Sequence, residues 1–178
     1  MNITEIISWM ENYDSLVELS TLHKILFMLT NIIYFIPILF FGINIINIVI
    51  AIMGAVSTSF HGCQCCYPCP HKTTRTLLWC DILFVIPASF IIIYFCRHLL
   101  PASWYIVWIL VVPIFMIAVP SLGKKMYALL HGIWHILSAG LFLFAAKVYS
   151  EDKNEVKDKE TSKNKKIKGI LKSSSFYN

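Results

Sequence analysis

Five apolar runs, each close to the length that crosses a bilayer, constrain this chain more than any other feature. They extend from about Lys24 to Phe41, Ile45 to Phe60, Leu77 to Phe95, Trp104 to Val119 and Met126 to Val148. A helix needs roughly 20 predominantly apolar residues to cross about 30 Å of hydrocarbon. Helices and closed barrels are the structures that satisfy their own backbone there. With 57% of 178 residues hydrophobic, and the charges confined to the N-terminus, short loops and a tail, the chain reads as an all-α integral membrane protein. The expected architecture is a bundle of about five transmembrane helices. The net charge of +5 then reports orientation rather than nucleic-acid binding, and no nucleic-acid partner is expected. Four acids and no Lys or Arg occupy the first 22 residues, the reverse of a signal peptide's basic start, so the first membrane helix is expected to act as its own insertion signal.

Ile3, Ile6, Ile7 and Met10 recur at helical spacing against Glu5, Glu11 and Asp14, which predicts a short N-terminal interfacial helix. Gly42 and Asn44 predict a tight break between the first two membrane helices, which should therefore be antiparallel neighbours. Residues 61–76, HGCQCCYPCPHKTTRT, read as a polar loop. Pro87 and Pro113 lie inside later runs and should kink them. Trp104, Tyr105, Trp108 and Tyr127 read as interfacial anchors. Beyond a membrane domain of residues 1–149, residues 150–178 form a lysine-rich tail that is expected to be disordered and cytoplasmic.

His131 and His135 lie four residues apart in the last run, so a helix presents both on one face. Two imidazoles at membrane depth suggest either a divalent metal or a pair of hydrogen-bonded rings near the interface. Counting spans enlarges the set. With five crossings, the end of the second helix (Ser57, His61), the start of the third (Asp81) and the start of the fifth (His131, His135) all fall on the N-terminal side. Three imidazoles and a carboxylate at one depth fit a zinc site with an open position for water. Asp81 has the alternative of capping its helix, and Ser57 that of bonding back to its own backbone. The opposite side carries Arg97, Lys147 and eight tail lysines, against Lys24, Lys72, Arg75, Lys124 and Lys125. That side should be cytoplasmic, with the N-terminus lumenal. Cys63, Cys65, Cys66 and Cys69 then have three uses: disulfides in an oxidising lumen, a second zinc, or palmitoylation if the orientation is reversed.

The chain resembles the alkaline ceramidases, of the superfamily that also holds the adiponectin and progestin receptors. SWMENY (Ser8–Tyr13), TNIIYFIP (Thr30–Pro37), the Ser57-x-x-x-His61 pair, the Asp81 region and HGIWHILSAG (His131–Gly140) carry the resemblance. It implies that His61, His131 and His135 ligate zinc, that Asp81 holds and deprotonates the attacking water, and that Ser57 hydrogen-bonds the developing oxyanion. It also implies a membrane lipid substrate, ceramide or a related sphingolipid, in an endoplasmic reticulum or Golgi membrane. Two departures stand out. The family has seven membrane helices, so two are missing here and a homo-oligomer is one way to fill the gap. Of the family's calcium site Trp9, Glu11 and Asn12 remain, with Glu18 a possible substitute. Ser8 replaces an acid and Lys24 another, so weak or absent Ca2+ binding is expected. The expected function is zinc-dependent ceramide hydrolysis. The alternatives are a catalytically inactive lipid-binding or structural relative and another acyl-lipid hydrolase.

Overall fold

The computed structural model describes residues 16, 18–67, 69–118 and 123–174. Among them every regular element is helical. Helix α1 (Thr21–Ile32) opens at Ser20, whose hydroxyl accepts from the His23 amide. It tightens through a 3-10 turn (Ile33–Phe35) into α2 (Ile36–Phe41), with Pro37 in the first turn of α2. Proline lacks an N–H and crowds the carbonyl four residues back, which accounts for the tightening there. Gly42 ends the span at φ 73°, a conformation open to glycine without steric cost. Asn44 then caps α3 (Ile45–Cys65), its side chain accepting from the Asn47 amide at 3.0 Å. Helices α4 (His71–Cys96), α5 (Ala102–Ala118) and α6 (Gly123–Ser174) follow.

Among the described residues, four stretches are long and apolar enough to cross a membrane: Thr21–Phe41, Ile45–Cys65, His71–Cys96 and the stretch within Lys125–Ile167. At 17 residues, α5 is only about 26 Å long at 1.5 Å per residue. The packing nevertheless shows that α5 returns the chain. Phe27 meets His131, Thr30 meets His135 and Tyr34 meets Ser138, so α1 and α6 run parallel. Trp104 at the start of α5 donates to the Leu141 carbonyl at 3.0 Å, well along α6. The core lies between these helices and includes Tyr34, Ile50, Met53, Ile92, Trp104 and Phe142, with Ala145 and Ala146 letting backbones approach. Helix α3 comes close to the first span at Gly54, where an added Cβ would stand 2.6 Å from the Tyr34 Cβ.

Three expectations are corrected. The polar loop is much shorter than residues 61–76, because α3 continues to Cys65 and α4 begins at His71. Polar groups here stay helical by finding partners inside the bundle, and a Cys63–Cys69 disulfide closes the turn. The tail is not irregular: α6 continues to Ser174. No Gly or Pro separates Gly140 from Gly169, and a nucleated helix propagates cheaply. Exposed i,i+4 pairs add to this, Lys147 with Glu151 and Lys159 with Glu155. Finally, Trp104, Trp108 and Tyr127 are buried in helix contacts rather than set at an interface. The expected interfacial helix over residues 1–21 and the calcium residues Trp9, Glu11 and Asn12 lie outside the described residues, apart from a short piece around Leu16 and Leu19. Leu16 donates its amide to the Gln64 carbonyl at 2.9 Å.

Candidate metal centre

His61 sits near the C-terminal end of α3, and His131 and His135 one turn apart on α6. The folding of α1 and α3 against α6 brings the three rings together. Their centroids are 5.0 Å (His61–His131), 4.9 Å (His61–His135) and 4.6 Å (His131–His135) apart. One ligand nitrogen from each lies within 4.8 Å of the others. Tetrahedral zinc, with Zn–N bonds of about 2.0–2.1 Å, places its ligands about 3.3 Å apart, so the rings need draw together by no more than about 1.5 Å. Phe27 roofs the cluster, its ring 4.7 Å from His61 and 5.8 Å from both His131 and His135.

The hydrogen bonds orient these rings for ligation. The Thr30 hydroxyl donates to the Phe27 carbonyl at 2.7 Å, so its oxygen receives His135 Nδ1–H at 2.9 Å. His61 Nδ1–H donates to Gln64 Oε1, also at 2.9 Å. In both rings the proton is thereby held on Nδ1, which leaves the Nε2 lone pair for a metal. His61 Nε2 is buried and has no hydrogen-bond partner. A buried polar atom without a partner carries a desolvation cost of about 1–3 kcal/mol. A cation shared with two neighbouring imidazoles removes that cost, so the donor set fits a divalent metal.

Ser57 precedes His61 by one turn on the same face of α3, about 6 Å along the axis. Its hydroxyl neighbours the Asp81 carboxyl group of α4. Asp81 lies ten residues past His71, the first residue of α4, so it does not cap that helix. Beyond His135, Tyr34 donates to Ser138 at 2.6 Å, and Ser138 donates to the Trp134 carbonyl at 2.8 Å.

The sequence reading thus singled out the three histidines that cluster here, and it missed Thr30 and Gln64. Gln64 was findable, since it follows His61 by three residues and shares its face. Thr30 reaches His135 across 105 positions, and no local signal marks it. Replacing Gln64 by Leu is expected to weaken metal binding roughly 10–100-fold, as for other partners of ligating histidines. Gln64→Glu, which keeps an acceptor, should retain more of it. Chelator competition on the purified protein measures both, and equal affinities for wild type and Gln64→Leu would deny the residue this role. No family model, no curated protein and no solved structure matches this chain.

Proposed function

We propose that this chain is a zinc-dependent intramembrane amidohydrolase that cleaves ceramide or a related sphingolipid to a sphingoid base and a free fatty acid. The observation that carries this reading is the clustered histidine trio, with Ser57 one helical turn from His61 on α3 and Asp81 of α4 beside it, inside a bundle of apolar helices. Zinc held by three neutral imidazoles would supply a Lewis acid for the amide carbonyl and lower the pKa of water to about 7. His61, His131 and His135 hold the ion, and Gln64 and Thr30 keep two of those rings in the ligating tautomer. Asp81 takes the proton of the attacking water and passes it to the leaving nitrogen as the C–N bond breaks. Ser57 holds the carboxylate in place. The apolar helices keep bulk water away and admit a lipid from the bilayer. The resemblance suggests an endoplasmic reticulum or Golgi membrane, and the lysine distribution favours a cytoplasmic tail with the metal on the lumenal side.

A second reading is a lipid-binding protein that keeps the metal without turnover. What favours it is the shortness of the bundle: four spanning helices and a 17-residue fifth leave less wall around a lipid than the seven of the family that the sequence resembles. Incubating purified protein with short- and long-chain ceramides, alongside His131→Ala, separates the two. Release of sphingoid base that disappears in the variant supports hydrolysis. Stoichiometric bound zinc with no turnover of any amide or ester lipid supports the second reading.

A further inference from the structure

Residues 66–70 join α3 to α4, and the Cys63–Cys69 disulfide closes the chain across that turn, with its Cα atoms 5.2 Å apart. The bond encloses Gln64. That residue is the penultimate one of α3 and the partner of His61 Nδ1 at 2.9 Å. The last turn of a helix frays, because its carbonyls lack intrahelical partners and local opening there costs little free energy. A ligating imidazole whose partner sits on a fraying turn is poorly held. Here the enclosed backbone folds back on the helix: the Cys66 and Tyr67 amides donate to the Gly62 carbonyl at 2.9 and 3.0 Å, and the Cys69 amide donates to the Tyr67 carbonyl at 2.8 Å. The disulfide holds that fold-back covalently.

Cys63 and Cys69 are half-buried, and Cys66 and Tyr67 between them are exposed. A dissolved reductant can therefore reach the bond. His61 and Gln64, within one turn of Cys63, have no exposed surface, so the chemistry that breaks the bond need not enter the histidine cluster.

We propose that the Cys63–Cys69 disulfide is a redox control on the metal centre. Oxidised, it keeps the last turn of α3 closed and the Gln64 side chain on His61, so that the proton stays on Nδ1 and Nε2 is free for the metal. A dithiol reductant opens it by exchange. One thiolate attacks a half-cystine sulfur and the other cysteine leaves, taking a proton; the reductant's second thiol then displaces the first. Cys63 and Cys69 end as thiols and the reductant as a disulfide, two electrons and two protons having passed to the chain. The turn then frays, His61 loses its acceptor for part of the time, and metal affinity falls. The proposal rests on the metal centre and does not require turnover.

The test measures zinc affinity by chelator competition on full-length protein in detergent, with the bond closed and with it opened by two routes. A phosphine reduces the bond, taking oxygen from water and leaving no thiol of its own to bind zinc; Cys63→Ala/Cys69→Ala opens the turn without freeing thiols. Both should bind zinc roughly tenfold more weakly, the lower end of the loss for removing a ligand's partner, since the open turn still meets His61 part of the time. Gln64→Leu separates this route from a general loosening. In that background the partner of His61 is already gone, so opening the bond should change affinity by less than about twofold. A full tenfold loss there overturns the proposal, as does unchanged affinity when the bond is opened in the wild type. Tighter binding by the phosphine-reduced protein alone would identify the freed thiols as ligands and overturn it too, and so would a non-reducing mass map without the Cys63–Cys69 bond. Wild type that takes up no zinc in either state overturns the metal centre itself, a result distinct from zinc bound equally by both.

Discussion

Replacing His61 by Ala is expected to abolish metal binding at zinc concentrations that saturate the wild type. His131 and His135 come from one helix and supply only two nitrogens, whereas a closed tetrahedral or open catalytic zinc site uses at least three protein ligands. Loss of a ligand should exceed the roughly 10–100-fold loss caused by losing a ligand's own hydrogen-bond partner. Stability gives a second readout. An ion that binds only the folded state stabilises it by RT ln(1 + [L]/Kd), about 2.7 kcal/mol when zinc is at 100 times Kd. The wild-type melting temperature should therefore rise with added zinc while that of His61→Ala does not. The competing view holds that the three rings are packed polar groups and nothing more, with Phe27 edge-on and Phe60 tilted against His61. On that view the alanine variant is less stable than wild type with or without zinc, and zinc changes neither. Elemental analysis and zinc-dependent melting decide between them, and zinc-insensitive melting of metal-free wild type would sink the metal centre.

The long apolar runs made the helices legible, because a backbone in hydrocarbon has few alternatives. Polarity was a poorer guide to where a helix stops. His61, Gln64 and Cys65 look like loop residues by hydropathy, yet each is fully buried in α3, since Gln64 answers His61 within one turn. The readable stop signal was Pro70, which stands just before α4. Trp104 and Trp108 illustrate a different ambiguity. An aromatic near the end of an apolar run has the same sequence signature whether it faces headgroups or a neighbour, and only the Leu141 carbonyl and the Phe142 ring show which. Within the site, the i,i+4 spacing of His131 and His135 was visible at once, and counting crossings added His61, Ser57 and Asp81. The role of Thr30 was not visible, because it depends on which donors and acceptors meet after folding. That is a property of the packed bundle and leaves no local pattern.

Asp81→Asn should separate chemistry from metal binding. Asparagine keeps the shape of the side chain and can still bond Ser57, but it cannot take a proton from water. A loss of turnover of roughly 10²–10⁴-fold is expected, the usual worth of a positioned general base. Bound zinc should be unchanged, because the three clustered nitrogens belong to His61, His131 and His135. The nearness of Ser57 to Asp81 adds a sharper requirement. If Ser57 acts only by holding the carboxylate, Ser57→Ala should slow wild type but add little in the Asp81→Asn background, where the group it positions is already disabled. If instead its hydroxyl serves the oxyanion directly, the two losses should multiply, since independent contributions add as free energies. Turnover by zinc-loaded Asp81→Asn within a few-fold of wild type would remove the carboxylate from the mechanism and leave the ion itself as the only activator of water.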